Sequence, residues 1–409
     1  MEKIPVTIPY FTEDEENAAI RALRSGWVAQ GPRVAEFEKG VALHENVRYG
    51  IATTSCTSAL HLAMVVCGVK SQMDVIAPSF TFVATCNTII EAGGVPILVD
   101  VSPQTYTISC DEIEKVINTR YFERKGKLIN KESGNELWGI VPVHQFGLCA
   151  DMVKINELAQ RYNLKVIEDA ACALGAKIGS VHEGQFGNVS CVSFHPRKSI
   201  TTGEGGMILT DDEIGASTMQ RLRSHGNSIS ADARHAGKGF LLPEFDEAGY
   251  NYRMTDIQAA VGLEQLKKLD YIIETKRKKA EYYNRLIAES IPEFITPIEP
   301  EGYFHTYQSY VCMLDLQKLG LKTIEEGKSY RDKLLGKLED MGIATRQGTH
   351  AVHMLGYYKN RFGYKPDDLP NAYACDSLSI SLPLYVQITD SIQEHVIKSI
   401  KKTMDKMGE

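Results

Sequence analysis

The chain has 409 residues, 43% of them apolar and 24% charged, a balance that suits a globular protein too long for one ordinary core. Its 45 basic and 52 acidic side chains leave a net charge of −7. That excludes nucleic-acid binding by bulk charge but allows a local basic patch for an anionic small molecule. No apolar stretch approaches the length of a membrane span, and the start, Met1-Glu-Lys-Ile-Pro, lacks the basic-then-apolar pattern of a secretory signal, so a cytoplasmic protein is expected.

A rhythm of short apolar runs and helical patterns begins near residue 49. Strands are expected at 49–53, 75–78, 96–100, 140–144 and 164–169, and helices at 55–67, 82–91 and 151–162. This alternation is the signature of a mainly parallel sheet with helices on both faces. Residues 118–137 are polar and read as a surface excursion. Residues 191–194 and 206–210 read as two strands joined by a lysine-bearing turn. Residues 226–249 read as irregular, and 255–269 and 273–287 as helices. Later come a strand near 308–314 and helices near 329–341 and 390–406. The order of elements changes after Pro292. The expected division is a large domain over 1–265 and a smaller α+β domain over 266–409. The nine cysteines are scattered without a CxxC pair; they read as free thiols in a reducing compartment, and no metal site is expected from them.

Ligands of an open parallel sheet sit at the carboxyl ends of its strands, and three features fall there. Thr53-Thr-Ser-Cys-Thr-Ser58 closes a strand and opens a helix; its N–H groups and hydroxyls suit either a phosphate or ordinary N-capping. Asp169 ends an apolar strand in Val166-Ile-Glu-Asp-Ala-Ala171. A buried carboxylate there needs a positive partner, which could be a protonated pyridine nitrogen, a structural arginine or a helix N-terminus. Lys198 lies in Ser193-Phe-His-Pro-Arg-Lys198 and is followed by Thr201-Thr-Gly-Glu-Gly-Gly206. It is placed to bond an aldehyde carbon, beside glycines that let backbone approach a ligand. A GxGxxG turn after a strand is missing from this set, which disfavours a nicotinamide enzyme. Phosphate cradle, buried acid and lysine together suit pyridoxal 5′-phosphate (PLP).

Those blocks, with Ser25-Gly-Trp-Val-Ala-Gln-Gly-Pro32, Phe37-Glu38, Thr57-Ser-Ala-Leu-His-Leu62, Pro78-Ser-Phe-Thr-Phe-Val-Ala-Thr85, Val141-Pro-Val-His144 and Gly249-Tyr-Asn-Tyr-Arg-Met-Thr-Asp-Ile-Gln-Ala-Ala260, resemble the DegT/DnrJ/EryC1/StrS sugar aminotransferases. The resemblance runs through nearly the whole chain. It implies the PLP-transferase fold type I and a homodimer with shared sites.

Carried onto this chain, the resemblance gives Lys198 the cofactor's aldehyde carbon and the proton transfer. It gives Asp169 the ring nitrogen, Phe82 the ring face, and Thr57, the backbone of Cys56 and Ser193 the phosphate. Asn251 would reach the phosphate of the partner subunit. Two positions depart from the family: Cys56 stands where glycine is usual, and Cys172 where glutamine or histidine faces the cofactor's ring oxygen. A thiol is a weak hydrogen-bonding group.

Arg253 is a candidate for a substrate anion. In Gly342-Ile-Ala-Thr-Arg-Gln-Gly-Thr-His-Ala-Val-His353, Arg346, His350 and His353 are candidates for a diphosphate or carboxylate, as are Tyr307 and Gln308 for substrate contact. The implied reaction moves an amino group, with glutamate the expected donor, to a nucleotide-linked keto sugar of amino-sugar and polysaccharide biosynthesis. A lysine base requires a lowered pKa, expected from a cationic enclosure. Relatives with histidine in place of the lysine are dehydratases; a PLP-dependent dehydratase and a non-catalytic nucleotide-sugar or PLP binder are the rival readings.

Overall fold

The computed structural model describes residues 3–228 and 244–408. Thr12 starts α1 (Glu13–Ser25) with a reciprocal capping box to Glu15, and Pro32 opens α2 (Pro32–His44). The alternating region follows as β1 (Tyr49–Thr53), α3 (Cys56–Val66), β2 (Met73–Pro78), β3 (Phe80–Thr81), α4 (Ala84–Glu91), β4 (Val95–Val99) and α5 (Cys110–Arg120). Next come β5 (Tyr121–Arg124), β6 (Lys127–Asn130), β7 (Glu136–Ile140), α6 (Met152–Tyr162) and β8 (Lys165–Asp169). A small hairpin, β9 (Lys177–Ile178) and β10 (Val181–His182), precedes β11 (Val189–Ser193), β12 (Gly206–Thr210) and α7 (Glu213–Leu222).

The large sheet runs β1-β12-β11-β8-β7-β2-β4, with the β5–β6 hairpin added beside β7. The neighbours from β11 through β8, β7 and β2 to β4 pair in parallel, while β12 runs antiparallel to both β1 and β11. Its central strands are apolar on both faces and buried, as β11 is throughout, because helices cover both sides. The structure is therefore the mixed α/β, mainly parallel architecture expected.

Two expectations need correction. The strand expected at 140–144 lies earlier, at Glu136–Ile140. Beyond it the chain leaves regular pairing, although His144 N–H still donates to Asp169 O at 3.0 Å. Residues 118–137 are not a loose excursion. They form the β5–β6 hairpin, which leads into β7; Tyr121 and Leu128 of the hairpin and Leu137 of β7 are buried. The buried carboxylate of Asp74 fastens it, accepting from Tyr121 Oη (2.7 Å), Asn130 Nδ2 (2.7 Å) and Asn135 Nδ2 (2.8 Å). Two of the asparagines that suggested a solvated loop are thus partners of one buried acid. Most of the irregular segment expected at 226–249 lies outside the described residues.

The later part opens with α8 (Asp256–Leu266) and the long α9 (Leu269–Ser290). It continues through β13 (Phe294–Ile295), β14 (Tyr303–Phe304), β15 (Tyr310–Leu314), α10 (Ile324–Asp340), β16 (His350–Ala351), α11 (Gly356–Phe362), α12 (Pro370–Leu378), β17 (Ser379–Leu382) and α13 (Asp390–Gly408). A second sheet, β13-β15-β17, is antiparallel. Its core includes Tyr283, Tyr310, Leu334, Ile380 and Ile397. Two strands tie this part to the first: β16 pairs with β3, and β14 pairs with β9. Among the described residues no helix is long and apolar enough to cross a membrane.

Candidate active site

The carboxyl ends of β1, β8 and β11 meet the start of β12. Thr53 and Ser193 both pair with Gly206, and Cys191 pairs with Asp169. Gly206 must be glycine: a Cβ there would run into the backbone of Ser55 and Cys56 well inside van der Waals contact. This close approach seats the first turn of α3 on the sheet edge. Ser55 caps that helix by accepting from Ser58 N–H at 3.1 Å, which leaves the N–H groups of Cys56 and Thr57 without an internal acceptor among the described residues. The Thr57 side chain is exposed beside them. Free amides and a hydroxyl at a helix start are an anion cradle. Ser55 does the N-capping here, and Thr57 stays open. The Cys56 thiol turns away, toward Cys191 O at 3.6 Å, so only its backbone is offered.

Asp169 is 4% exposed. Its Oδ2 accepts from Thr85 Oγ1 at 2.7 Å and its Oδ1 from Ala171 N–H at 3.1 Å. Burial raises its pKa above the ordinary carboxylate value, against the pull of Thr85, Ala171, Lys198 and His144. A buried acid held up by burial is a seat for a cation such as a protonated ring nitrogen. Thr85 N–H also donates to Phe82 O at 3.2 Å, which fixes Phe82 over the same turn. The Phe82 side chain is 63% exposed, an apolar ring left facing outward at the site. Acid, ring face, amine and anion cradle match the four parts of PLP: ring nitrogen, ring face, aldehyde and phosphate.

Lys198 is half-buried in the turn after β11, with its N–H on His195 O at 2.9 Å. Its Nζ donates to Cys172 Sγ at 3.1 Å. The cationic enclosure expected from the sequence is not what surrounds it. Burial pulls its pKa down, but the nearness of Cys172, then Cys56 and Asp169, outweighs burial and holds it above the usual lysine value. Ser193 ends β11, and its Oγ accepts from His195 N–H at 3.4 Å.

The other expected residues are placed as follows. Tyr252 O accepts from Thr54 N–H, and Arg253 bridges Thr53, so the strip carrying exposed Asn251 and half-buried Arg253 runs beside the cradle. Arg253 Nη1 donates to Ser224 Oγ at 3.2 Å. His350 pairs with Thr81 next to Phe82, and its Nδ1 meets Gln347 Nε2 at 2.8 Å. Arg346 is exposed and pairs with Ser381 at the second sheet. His353 is fully buried and holds Ser79 Oγ at 2.7 Å, which fits a structural contact. Tyr307 is buried and stacked on His305, with ring centroids 3.9 Å apart. Gln308 donates to Arg197 O beside Lys198.

Two residues escaped the sequence reading. Thr85, which steadies Asp169, lies in a block already singled out, three residues after Phe82. Lys276 is buried, and its Nζ donates to Gln308 O at 2.9 Å. Burial, with Lys198 adding to it, pushes its pKa down to about 8. Its signal was periodicity: it lies on the α9 stripe of Ile272, Ile273, Ala280, Tyr283 and Ile287.

The model of the DegT/DnrJ/EryC1/StrS aminotransferase family matches residues 9–401. A spore coat polysaccharide biosynthesis protein of Bacillus subtilis is 33% identical over 399 residues, 97% of this chain and 96% of that protein. A GDP-perosamine synthase of Caulobacter vibrioides is 32% identical over 403 residues, 98% of each. The solved PLP form of a Streptococcus pneumoniae chain assigned as a sugar aminotransferase superposes with a TM-score of 0.85 at 25% identity, covering 99% of both chains.

Proposed function

From its membership of the DegT/DnrJ/EryC1/StrS aminotransferase family, we propose that the chain is a PLP-dependent sugar aminotransferase that moves an amino group from glutamate to a nucleotide-linked keto sugar. The observation that carries this reading is the convergence of Lys198 Nζ and buried Asp169 at strand ends beside an open helix start. Relatives that build polysaccharide and a GDP-linked amino sugar support the substrate class.

When bound, PLP supplies an electron-withdrawing ring that stabilises negative charge at the substrate carbon. The roles of the chain's own groups follow. The Asp169 carboxylate holds the proton on the ring nitrogen, steadied by Thr85 Oγ1. Phe82 covers one ring face. Thr57, the amide of Cys56 and Ser193 bind the phosphate. Lys198 Nζ would hold the cofactor by its aldehyde carbon and, as a free amine, would be the group placed to hold and move the substrate proton. Cys172 would stand on the ring-oxygen side in place of the usual donor, where a thiol supplies only a weak hydrogen bond. Arg253, Arg346, His350 and Tyr307 are the proposed substrate contacts, and Asn251 the contact to a partner subunit of a homodimer. We also take the chain as two lobes, 1–265 and 266–409, supported by the separate second sheet and its core.

The test is a half-reaction screen. Glutamate added to the yellow PLP form should bleach its visible band. The resulting amine form, mixed with a panel of nucleotide keto sugars, should recover the band with one class of sugar. Retention of transamination by Lys198→Ala would overturn the assignment. A colourless protein that binds nucleotide sugar would favour the non-catalytic reading.

A further inference from the structure

Away from the strand ends, three side chains from two elements converge. His44 ends α2, Glu45 follows it, and His182 ends β10. Glu45 is fully buried, while both histidines are close to the surface. Glu45 Oε1 lies 2.6 Å from His44 Nδ1, and its Oε2 lies 3.1 Å from His182 Nδ1. Taking one ligand atom from each residue, the atoms lie within 4.8 Å of one another. The two imidazoles stand edge to face, with centroids 5.9 Å apart at 90°.

We propose that His44, Glu45 and His182 bind a divalent transition-metal ion of the zinc type. Two imidazole nitrogens and a carboxylate are a donor set that suits zinc. Donors at bonds of about 2.0–2.1 Å in a tetrahedral array sit roughly 3.3 Å apart; the Glu45–His182 separation of 3.1 Å is near that value, and small side-chain shifts would bring the rest, all within 4.8 Å, to it. A second observation points the same way. The other ring nitrogen of His44, Nε2, lies 3.2 Å from Asp270 Oδ1 at the start of α9. A carboxylate on the far nitrogen is the arrangement that orients a metal-bound histidine and fixes its tautomer. The cysteine spacings that argued against a metal concern other residues; none of the nine thiols takes part.

The ion would join the end of α2 to the β9–β10 hairpin, with Asp270 drawing in the start of α9. Its role is that of a staple, separate from the chemistry at Lys198. The hairpin pairs with β14, so the staple would hold one of the strand pairings that tie the later part of the chain to the first.

The experiment is a cobalt(II) titration of the untagged, PLP-loaded enzyme after treatment with a chelator. Visible d–d bands of a low-coordinate cobalt site should saturate at one ion per chain, and zinc should abolish them. His182→Gln should remove the bands. Asp270→Asn, a change at an exposed side chain, should leave the fold intact and weaken cobalt binding roughly 10- to 100-fold. Thermal melting should rise with zinc in the parent enzyme and not in His182→Gln. If the parent shows no saturable bands, or if they survive His182→Gln unchanged, the three residues are a hydrogen-bonded cluster and the proposal falls. If His182→Gln fails to fold, the Asp270→Asn titration decides: affinity equal to the parent's overturns the site.

Discussion

Lys198 Nζ lies 3.1 Å from Cys172 Sγ. The two side chains come from turns after adjacent parallel strands, and the thiol is the largest influence raising the amine's pKa against burial. Cys172→Ala should therefore lower the Lys198 pKa. Only the uncharged amine attacks an aldehyde, so the cofactor-free variant should take up PLP faster at neutral pH. The alkaline rise of its uptake rate should shift to lower pH. Stopped-flow uptake across pH checks this, and a shift to higher pH would contradict it.

Thr85 Oγ1 donates 2.7 Å to the buried Asp169 Oδ2. Thr85→Val keeps the shape and removes the donor. A hydrogen bond to a charged group is worth about 1.5–3 kcal/mol, so Asp169 should be harder to keep ionised and PLP should bind at least about tenfold more weakly. Equilibrium dialysis of PLP against both proteins reads the difference. Equal affinities would show that the Ala171 amide alone suffices.

Lys276 is buried with its pKa pushed down to about 8 from 10.5. Between those values the unfolded chain binds the proton and the folded chain does not, so stability rises with pH over that window. Below pH 8 both states are protonated, and the cost of burying the charge, of order 3 kcal/mol, is fully present. Lys276→Met removes that cost and loses one hydrogen bond to Gln308 O. It should raise stability in urea at pH 7 relative to the parent, and the advantage should shrink toward pH 10. An advantage that stays constant with pH would show that Lys276 is not the titrating group.

Gly206→Ala places a methyl against the backbone of Ser55 and Cys56. Backbone cannot swing aside as a flexible side chain can, so the first turn of α3 must shift off the sheet. The expected cost is about 1–3 kcal/mol of stability together with a clear loss of PLP affinity, since the cradle moves with the helix. Denaturant melts and PLP titration test both; a stable variant with normal affinity would refute the close approach.

The sheet rhythm was legible because buried parallel strands read as short apolar runs and their helices as periodic ones. Asp169 and Lys198 stood out for the same reason: a charge at the end of an apolar run has few neutral explanations. The β5–β6 hairpin was hidden because Tyr121 and Asn130, which anchor it, pair with one acid, Asp74, distant in sequence. The strand at 136–140 was placed late because Val141 and Val143 continue the apolar run into buried chain that keeps only isolated pairing, as where Val143 bridges Asp169.

The sequence by itself determined the architecture, the lysine and acid of the site, and the family, since these rest on local periodicity and on blocks contiguous in the chain. Only the tertiary structure decided what surrounds Lys198. The expected cationic enclosure is instead a thiol and a carboxylate, with Lys276 behind, and the neighbours come from residues 56, 169, 172 and 276. A pKa depends on distances between groups far apart in sequence and on the burial they share, and neither quantity exists until the chain has folded.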